Sequence, residues 1–192
     1  MNPKELLHRY LDECPLIAII RGVTPEEAEA IGDAVQEGGI RIIEVPLNSP
    51  DALKSIELLA KKFGDSMLVG AGTVLAARQV QDVKDAGGRI IVSPDTNTEV
   101  IATSADAGLV SSPGYFTPSE AFAAIRAGAH AGQLRPSTSR IGTSSNVPGS
   151  KRRALMPMRS YGGSVSGVQC VAIPQWRQRF IASVAGLESA RT

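Results

Sequence analysis

Ile42-Ile-Glu-Val-Pro-Leu-Asn-Ser-Pro50 is the stretch on which the fold turns. Ile42, Ile43 and Val45 read as a strand buried on both faces, as strands of parallel sheets are. Pro46 breaks it. One carboxylate, Glu44, sits inside the apolar run. An ionised Glu there is costly to desolvate, so it must be paired, protonated or at work. A neighbouring Arg that satisfies it is the plain alternative. A loop and a new helix follow the strand, where α/β folds place their chemistry, so Glu44 is the first candidate for an acid–base group.

The same unit repeats on either side. Leu16–Ile20 is an apolar strand, and Thr24-Pro-Glu-Glu27 follows with the pattern of a capping box: Thr24 at the N-cap, Pro25 in the first turn, Glu27 third. Ala28, Ile31 and Val35 then recur at helical spacing until Gly38-Gly39. After the strand Ile40–Val45, a helix is expected from Ser49-Pro50, with Leu53, Ile56, Leu58 and Leu59 inward and Gly64 at its end. Strand Met67–Ala71 leads through Gly70-Ala-Gly-Thr73 to a helix ending at Gly87-Gly88. Strand Ile90–Val92 breaks at Ser93-Pro94, and the next helix runs to Gly108. Strand Leu109–Ser111 breaks at Pro113-Gly114, and Thr117-Pro-Ser-Glu120 opens a helix that ends at Gly128.

The helix-ending glycines Gly39, Gly64, Gly88, Gly108 and Gly128 lie 25, 24, 20 and 20 residues apart, about one strand, one short loop and one helix. Successive βα units without a hairpin imply parallel strands joined by right-handed crossovers. A doubly wound sheet and a (β/α)8 TIM barrel both meet that requirement. The regular spacing and uniform short loops favour the barrel, and no GxGxxG follows the first strand to support a dinucleotide fold. In a barrel, Arg21, Glu44, Thr73, Pro94 and Pro113 all fall at strand ends around one mouth. Arg21 there suits an anion such as a carboxylate, or an ion pair with Glu44. The Gly72-Thr73 turn offers N–H groups and a hydroxyl to a carboxylate, or simply caps a helix. Asn48 and Ser49 suit substrate hydroxyls or the turn itself.

Bulk properties bound the function. The 192 residues suit one domain with a full core, and 43% hydrophobic content with few aromatics suits an α/β protein. Apolar runs are too short to span a bilayer, and charged residues 1–16 lack the core of a signal peptide, so a cytoplasmic protein is expected. Cys14 and Cys170 are far apart without CxxC spacing, and read as reduced thiols. With His8 and His130 scattered as well, no metal site is expected.

The net charge of +1 hides an asymmetry. Residues 1–131 hold 11 Lys/Arg against 18 Asp/Glu, a net −7, whereas residues 132–192 hold 9 against the single Glu188, a net +8. The repeat also stops there. Residues 132–192 form a divergent basic tail rich in Ser, Arg and Gly, in which only Val168–Ile173 and Phe180–Leu187 look like elements. A basic tail invites nucleic acid, but no aromatic interleaving or basic helical face supports that partner.

Taken together, several stretches resemble the bacterial 2-keto-3-deoxy-6-phosphogluconate and phosphogalactonate aldolases. They are Pro15-Leu-Ile-Ala-Ile-Ile-Arg-Gly22, Glu44-Val-Pro-Leu-Asn-Ser-Pro50, Val69-Gly-Ala-Gly-Thr-Val74, Val92-Ser-Pro94 and Pro113-Gly114 with its Thr-Pro-Ser-Glu sequel, in family order over about residues 8–131. Pro-Leu-Asn-Ser-Pro looks like the phosphogalactonate branch, since gluconate relatives usually carry Thr-Leu-Arg-Thr there. The resemblance implies a homotrimeric (β/α)8 barrel, here incomplete, and a class I lyase that yields pyruvate and glyceraldehyde 3-phosphate without cofactor or metal. By motif match Glu44 shuttles protons, Arg21, Gly72 and Thr73 bind the pyruvate carboxylate, and Pro94 lines the pocket.

The family's Schiff-base lysine falls at Gln133, and Gln cannot form an imine. Lys54, Lys61, Lys62 and Lys84 lie on helices, Lys4 precedes the barrel, and Lys151 stands in the tail. The same resemblance therefore leaves a second outcome, a catalytically inactive truncated barrel or small-anion binder. The tail itself has the marks of a shifted reading frame. Begun at each codon's third base, Gly186–Thr192 can encode Leu-Gly-Ile-Gly-Thr-Asn, like the family's last phosphate-binding strand.

Overall fold

The computed structural model describes residues 1–134 and 168–172. Its elements in chain order are α1 (Pro3–Glu13), β1 (Leu16–Ile20), α2 (Pro25–Glu37), β2 (Ile42–Pro46), α3 (Ala52–Phe63) and β3 (Leu68–Gly72). There follow α4 (Ala77–Asp85), β4 (Ile90–Ser93), α5 (Thr98–Asp106), β5 (Val110–Tyr115), α6 (Pro118–Arg126), β6 (Gln133–Leu134) and β7 (Val168–Ala172). The sheet order is β6-β5-β4-β3-β2-β1-β7. Strands β1 to β6 are parallel neighbours in sequence order. A doubly wound sheet would reverse its order midway. The barrel reading therefore holds, as a curled half-barrel. On the far side of β1, β7 runs antiparallel, from Leu16↔Ala172 to Ile20↔Val168. A closed parallel barrel places a parallel strand on that edge. Within the described residues the barrel is thus incomplete, as expected. The element expected at Val168–Ile173 is a strand, Val168–Ala172, while Phe180–Leu187 and Lys151 lie outside the described residues.

Alternation along each strand makes two cores. Ala18, Ile20, Ile43, Val45, Val69, Ala71 and Ile91 face the helices, where α2, α3, α4 and α5 add Ala28, Val35, Ile56, Leu59, Phe63, Val80, Val83 and Val100. Ile17, Ile42, Leu68, Ile90, Val92 and Val110 face inward and meet Leu6, Leu7, Tyr10 and Leu11 of α1. Strands so covered bury both faces, which is why their sequences read as unbroken apolar runs. Helix α1 was not evident in the sequence. Asn2 caps it, Oδ1 accepting from Glu5 N–H at 2.8 Å, and its four large apolar side chains close the inner face of the sheet.

The expected capping boxes form. Glu27 Oε2 accepts from Thr24 N–H at 3.1 Å, and Glu120 Oε2 accepts from Thr117 N–H at 2.8 Å. Three local expectations are corrected. Helix α3 begins at Ala52 rather than Ser49-Pro50, because Ser49 N–H closes a turn on Pro46 O at 2.8 Å and Asp51 takes a left-handed backbone as N-cap. From that start the helix turns Ala52, Ser55, Ile56, Leu59 and Phe63 inward, leaving Leu53 39% exposed. Strand β5 does not stop before Pro113 but runs through it to Tyr115. A proline is tolerated in a strand that is nearly an edge, and β6 beside it is only two residues long. No helix among the described residues is long and apolar enough to cross a membrane.

Candidate active site

The parallel order sets the carboxyl ends of β1 to β5 along one rim, the end at which barrel folds carry chemistry. Backbone and loop hydrogen bonds knit that rim together. Arg21 Nη1 donates to Asn48 Oδ1 at 2.8 Å, and Gly22 N–H donates to Ser49 Oγ at 3.0 Å, tying the loop after β1 to the loop after β2. Leu47 N–H donates to Gly72 O at 2.9 Å and Val74 N–H to Val92 O at 3.2 Å, joining β2 to β3 and β3 to β4. Thr96 Oγ1 donates to Gly114 O at 2.7 Å and carries the chain of contacts to β5.

Glu44 shares the inner face with Ile42, two residues before it. It is 4% exposed, and its Oε2 has no hydrogen-bond partner among the described residues. Its carboxylate lies over Gly72 of the neighbouring strand, where a Cβ would meet both oxygens and Cδ. Burial pushes the Glu44 carboxyl up to about 7, outweighing the Arg21 charge, which pulls the other way. Of the two readings of Arg21, the direct ion pair with Glu44 is not formed. Arg21 is exposed and hydrogen-bonded to Asn48, so it acts on Glu44 only through space. A carboxyl raised to about 7 is populated in both protonation states near neutrality, as an acid–base group requires.

Thr73 follows Gly72 with φ 58°, a left-handed conformation that strains a β-branched residue. The hydrogen bonds from Leu47 to Gly72 and from Val74 to Val92 grip the chain on both sides of it. Pro94 is half-buried and follows β4 on the same rim. Gln133 pairs in register with Gly114, and its Nε2 donates to Ser112 O at 3.4 Å. Its amide is thereby turned onto the β5 backbone. Asn48, first read as a donor to substrate or a turn residue, proves to be the partner of Arg21. The two lie 27 residues apart, and only the adjacency of β1 and β2 brings them together. Among the described residues no cluster of three or more His, Cys, Asp or Glu is placed to hold a metal.

Comparison with known proteins places this geometry in a family. The model of "Aldolase: KDPG and KHG aldolase" matches residues 7–145. A probable 2-dehydro-3-deoxy-6-phosphogalactonate aldolase of Rhizobium meliloti is 52% identical over 117 residues, covering 61% of this chain and 55% of that protein. The 2-dehydro-3-deoxy-6-phosphogalactonate aldolase of Escherichia coli is 44% identical over 130 residues, covering 68% of this chain and 63% of that protein. A KDPG aldolase from Legionella pneumophila, solved with pyruvate captured as a covalent carbinolamine intermediate, superposes with a TM-score of 0.59 at 32% identity over 67% of this chain and 60% of that one. The chain thus spans somewhat more than half the length of the relatives it matches. It belongs to the KDPG and KHG aldolase family.

Proposed function

We propose that the chain is built for the chemistry of a class I aldolase, the cleavage of 2-keto-3-deoxy-6-phosphogalactonate (or phosphogluconate) to pyruvate and glyceraldehyde 3-phosphate. The observation that carries this reading is Glu44, sealed among apolar strands with its carboxyl pushed up to about 7. In such a reaction an amine adds to the ketone, water leaves, and the iminium ion takes up the electron pair as the carbon–carbon bond breaks. Glu44 is the group that moves protons to and from the carbinolamine, the aldol hydroxyl and the enamine carbon. Arg21, oriented by Asn48, and the Gly72-Thr73 turn receive the carboxylate of the pyruvoyl end, and Pro94 walls the pocket. The phosphogalactonate branch is favoured by Pro46-Leu-Asn-Ser49. The barrel portion read over residues 1–131 gains β6 at Gln133–Leu134 and gives way to the divergent tail after it, with a homotrimeric, cytoplasmic enzyme the expected setting.

Gln133 carries a second reading. It occupies the strand position at which the family's lysine is expected, and its amide cannot condense with a ketone. On that reading the chain holds the keto acid or another small anion without cleaving it. Pyruvate with borohydride separates the two. A covalent mass increase on a lysine of the natural chain supports the aldolase. No increase, together with trapping by Gln133→Lys, shows a site complete but for its amine. If neither traps pyruvate, the assignment of the mouth is wrong. Sequencing the gene tests the tail: a continuous family-like reading in another frame past residue 132 is expected, and its absence removes the frameshift.

A further inference from the structure

We infer that Gly72 is a positioning residue for the acid–base group: its missing Cβ forms the seat in which the Glu44 carboxylate rests. The motif match gives Gly72 to the substrate carboxylate, whereas the contacts give its side-chain space to Glu44. A glycine is required either by backbone conformation or by space. Conformation is not the reason here, since Gly72 lies in β3 and is not among the positive-φ glycines. Space is. The three nearest heavy atoms that a Cβ at Gly72 would meet are Oε2, Cδ and Oε1 of Glu44, with no backbone atom among them. Gly70, two residues earlier on the same strand, differs: its added Cβ would strike the carbonyl and side chain of Ile90. The first glycine serves the approach of strands, and the second serves one carboxylate.

The consequence is chemical. With Gly72 beneath it the carboxylate rests against β3, the residue only 4% exposed and its Oε2 without a hydrogen-bond partner among the described residues. A methyl group there would drive it toward the open mouth and water, where a carboxyl regains its ordinary acidity. This inference rests on reading Glu44 as the acid–base group, but its test uses neither substrate nor an amine, so failure to trap pyruvate leaves it standing.

The full chain and the variants Gly72→Ala, Glu44→Ala and the double variant are compared by carbon-13 NMR titration of glutamate carboxyls and by urea unfolding at pH 5. The Glu44 resonance, identified by its loss in Glu44→Ala, is expected to titrate near 7 in the natural chain and to move toward 4.5 in Gly72→Ala. Gly72→Ala is expected to lower the urea midpoint when Glu44 is present and to lower it clearly less when residue 44 is alanine. An unmoved Glu44 titration, or an equal midpoint loss in both backgrounds, overturns the proposal. Should Gly72→Ala alone not fold, recovery of folding in the double variant supports the seat, and continued unfolding of the double variant overturns it.

Discussion

Glu44 couples the stability of the fold to pH. Its folded pKa is raised from 4.5 to about 7, so the unfolded chain gives up this proton first as pH rises. The stability that goes with a neutral Glu44 is present in full below 4.5 and is lost as pH rises through 7. At ~1.4 kcal/mol per unit the loss is about 3 kcal/mol. Glu44→Gln is therefore expected to unfold at a higher urea concentration than the natural chain at pH 8, with little difference at pH 4.5. Thr73 makes the complementary case. A left-handed β-branched residue costs about 1–2 kcal/mol, and glycine relieves it. Thr73→Gly should raise the unfolding free energy by about 1 kcal/mol after the entropy of glycine is set against it, while weakening the pyruvate binding proposed for the mouth, as measured by calorimetry. Strain kept at a rim residue that a substitution would relax points to a use for its hydroxyl and backbone.

Among the elements, α1 was hidden from the sequence and the strands were plain. A helix with one apolar stripe and charged flanks resembles any solvated N-terminal segment until it is known that the inner face of a half-barrel needs covering. Leu6, Leu7, Tyr10 and Leu11 supply that cover. Leu7 is 2% exposed, so Leu7→Ala is expected to destabilise the fold by about 2–5 kcal/mol in thermal or urea unfolding. Strand-end residues were legible because apolar runs stop abruptly at Arg21, Pro46 and Pro94. Inside α3, sequence periodicity misplaced Leu53. The apolar count could not show that a turn at Ser49 and a left-handed Asp51 reset the helix start and, with it, the inward face.

For the whole molecule, the decisive feature is the edge of β1. A sheet of six parallel strands offers an unpaired row of amides and carbonyls at each side. On one side β7 covers β1, antiparallel over five residue pairs. Truncation after Leu134 removes that cover, and light scattering is expected to show concentration-dependent self-association beyond that of the full chain. An antiparallel strand also departs from the βα repeat, whose crossovers return parallel strands. That departure coincides with the change in charge and composition after residue 131. The family match, however, runs on to residue 145, and β6 at 133–134 still continues the parallel order.

The sequence by itself determined the repeating βα unit, the helix caps, the buried strands and the presence of a carboxylate inside one of them. These follow from local chemistry: periodicity, capping side chains and the desolvation of charge act within a few residues along the chain. Only the tertiary structure decided that Arg21 turns to Asn48, that Gly72 lies under Glu44, that α1 closes the inner face and that β7 takes the β1 edge. Each of those depends on which strands are neighbours and in what register. Contacts between residues far apart in the chain are set by the packing of the whole sheet, and nothing in the local pattern specifies them.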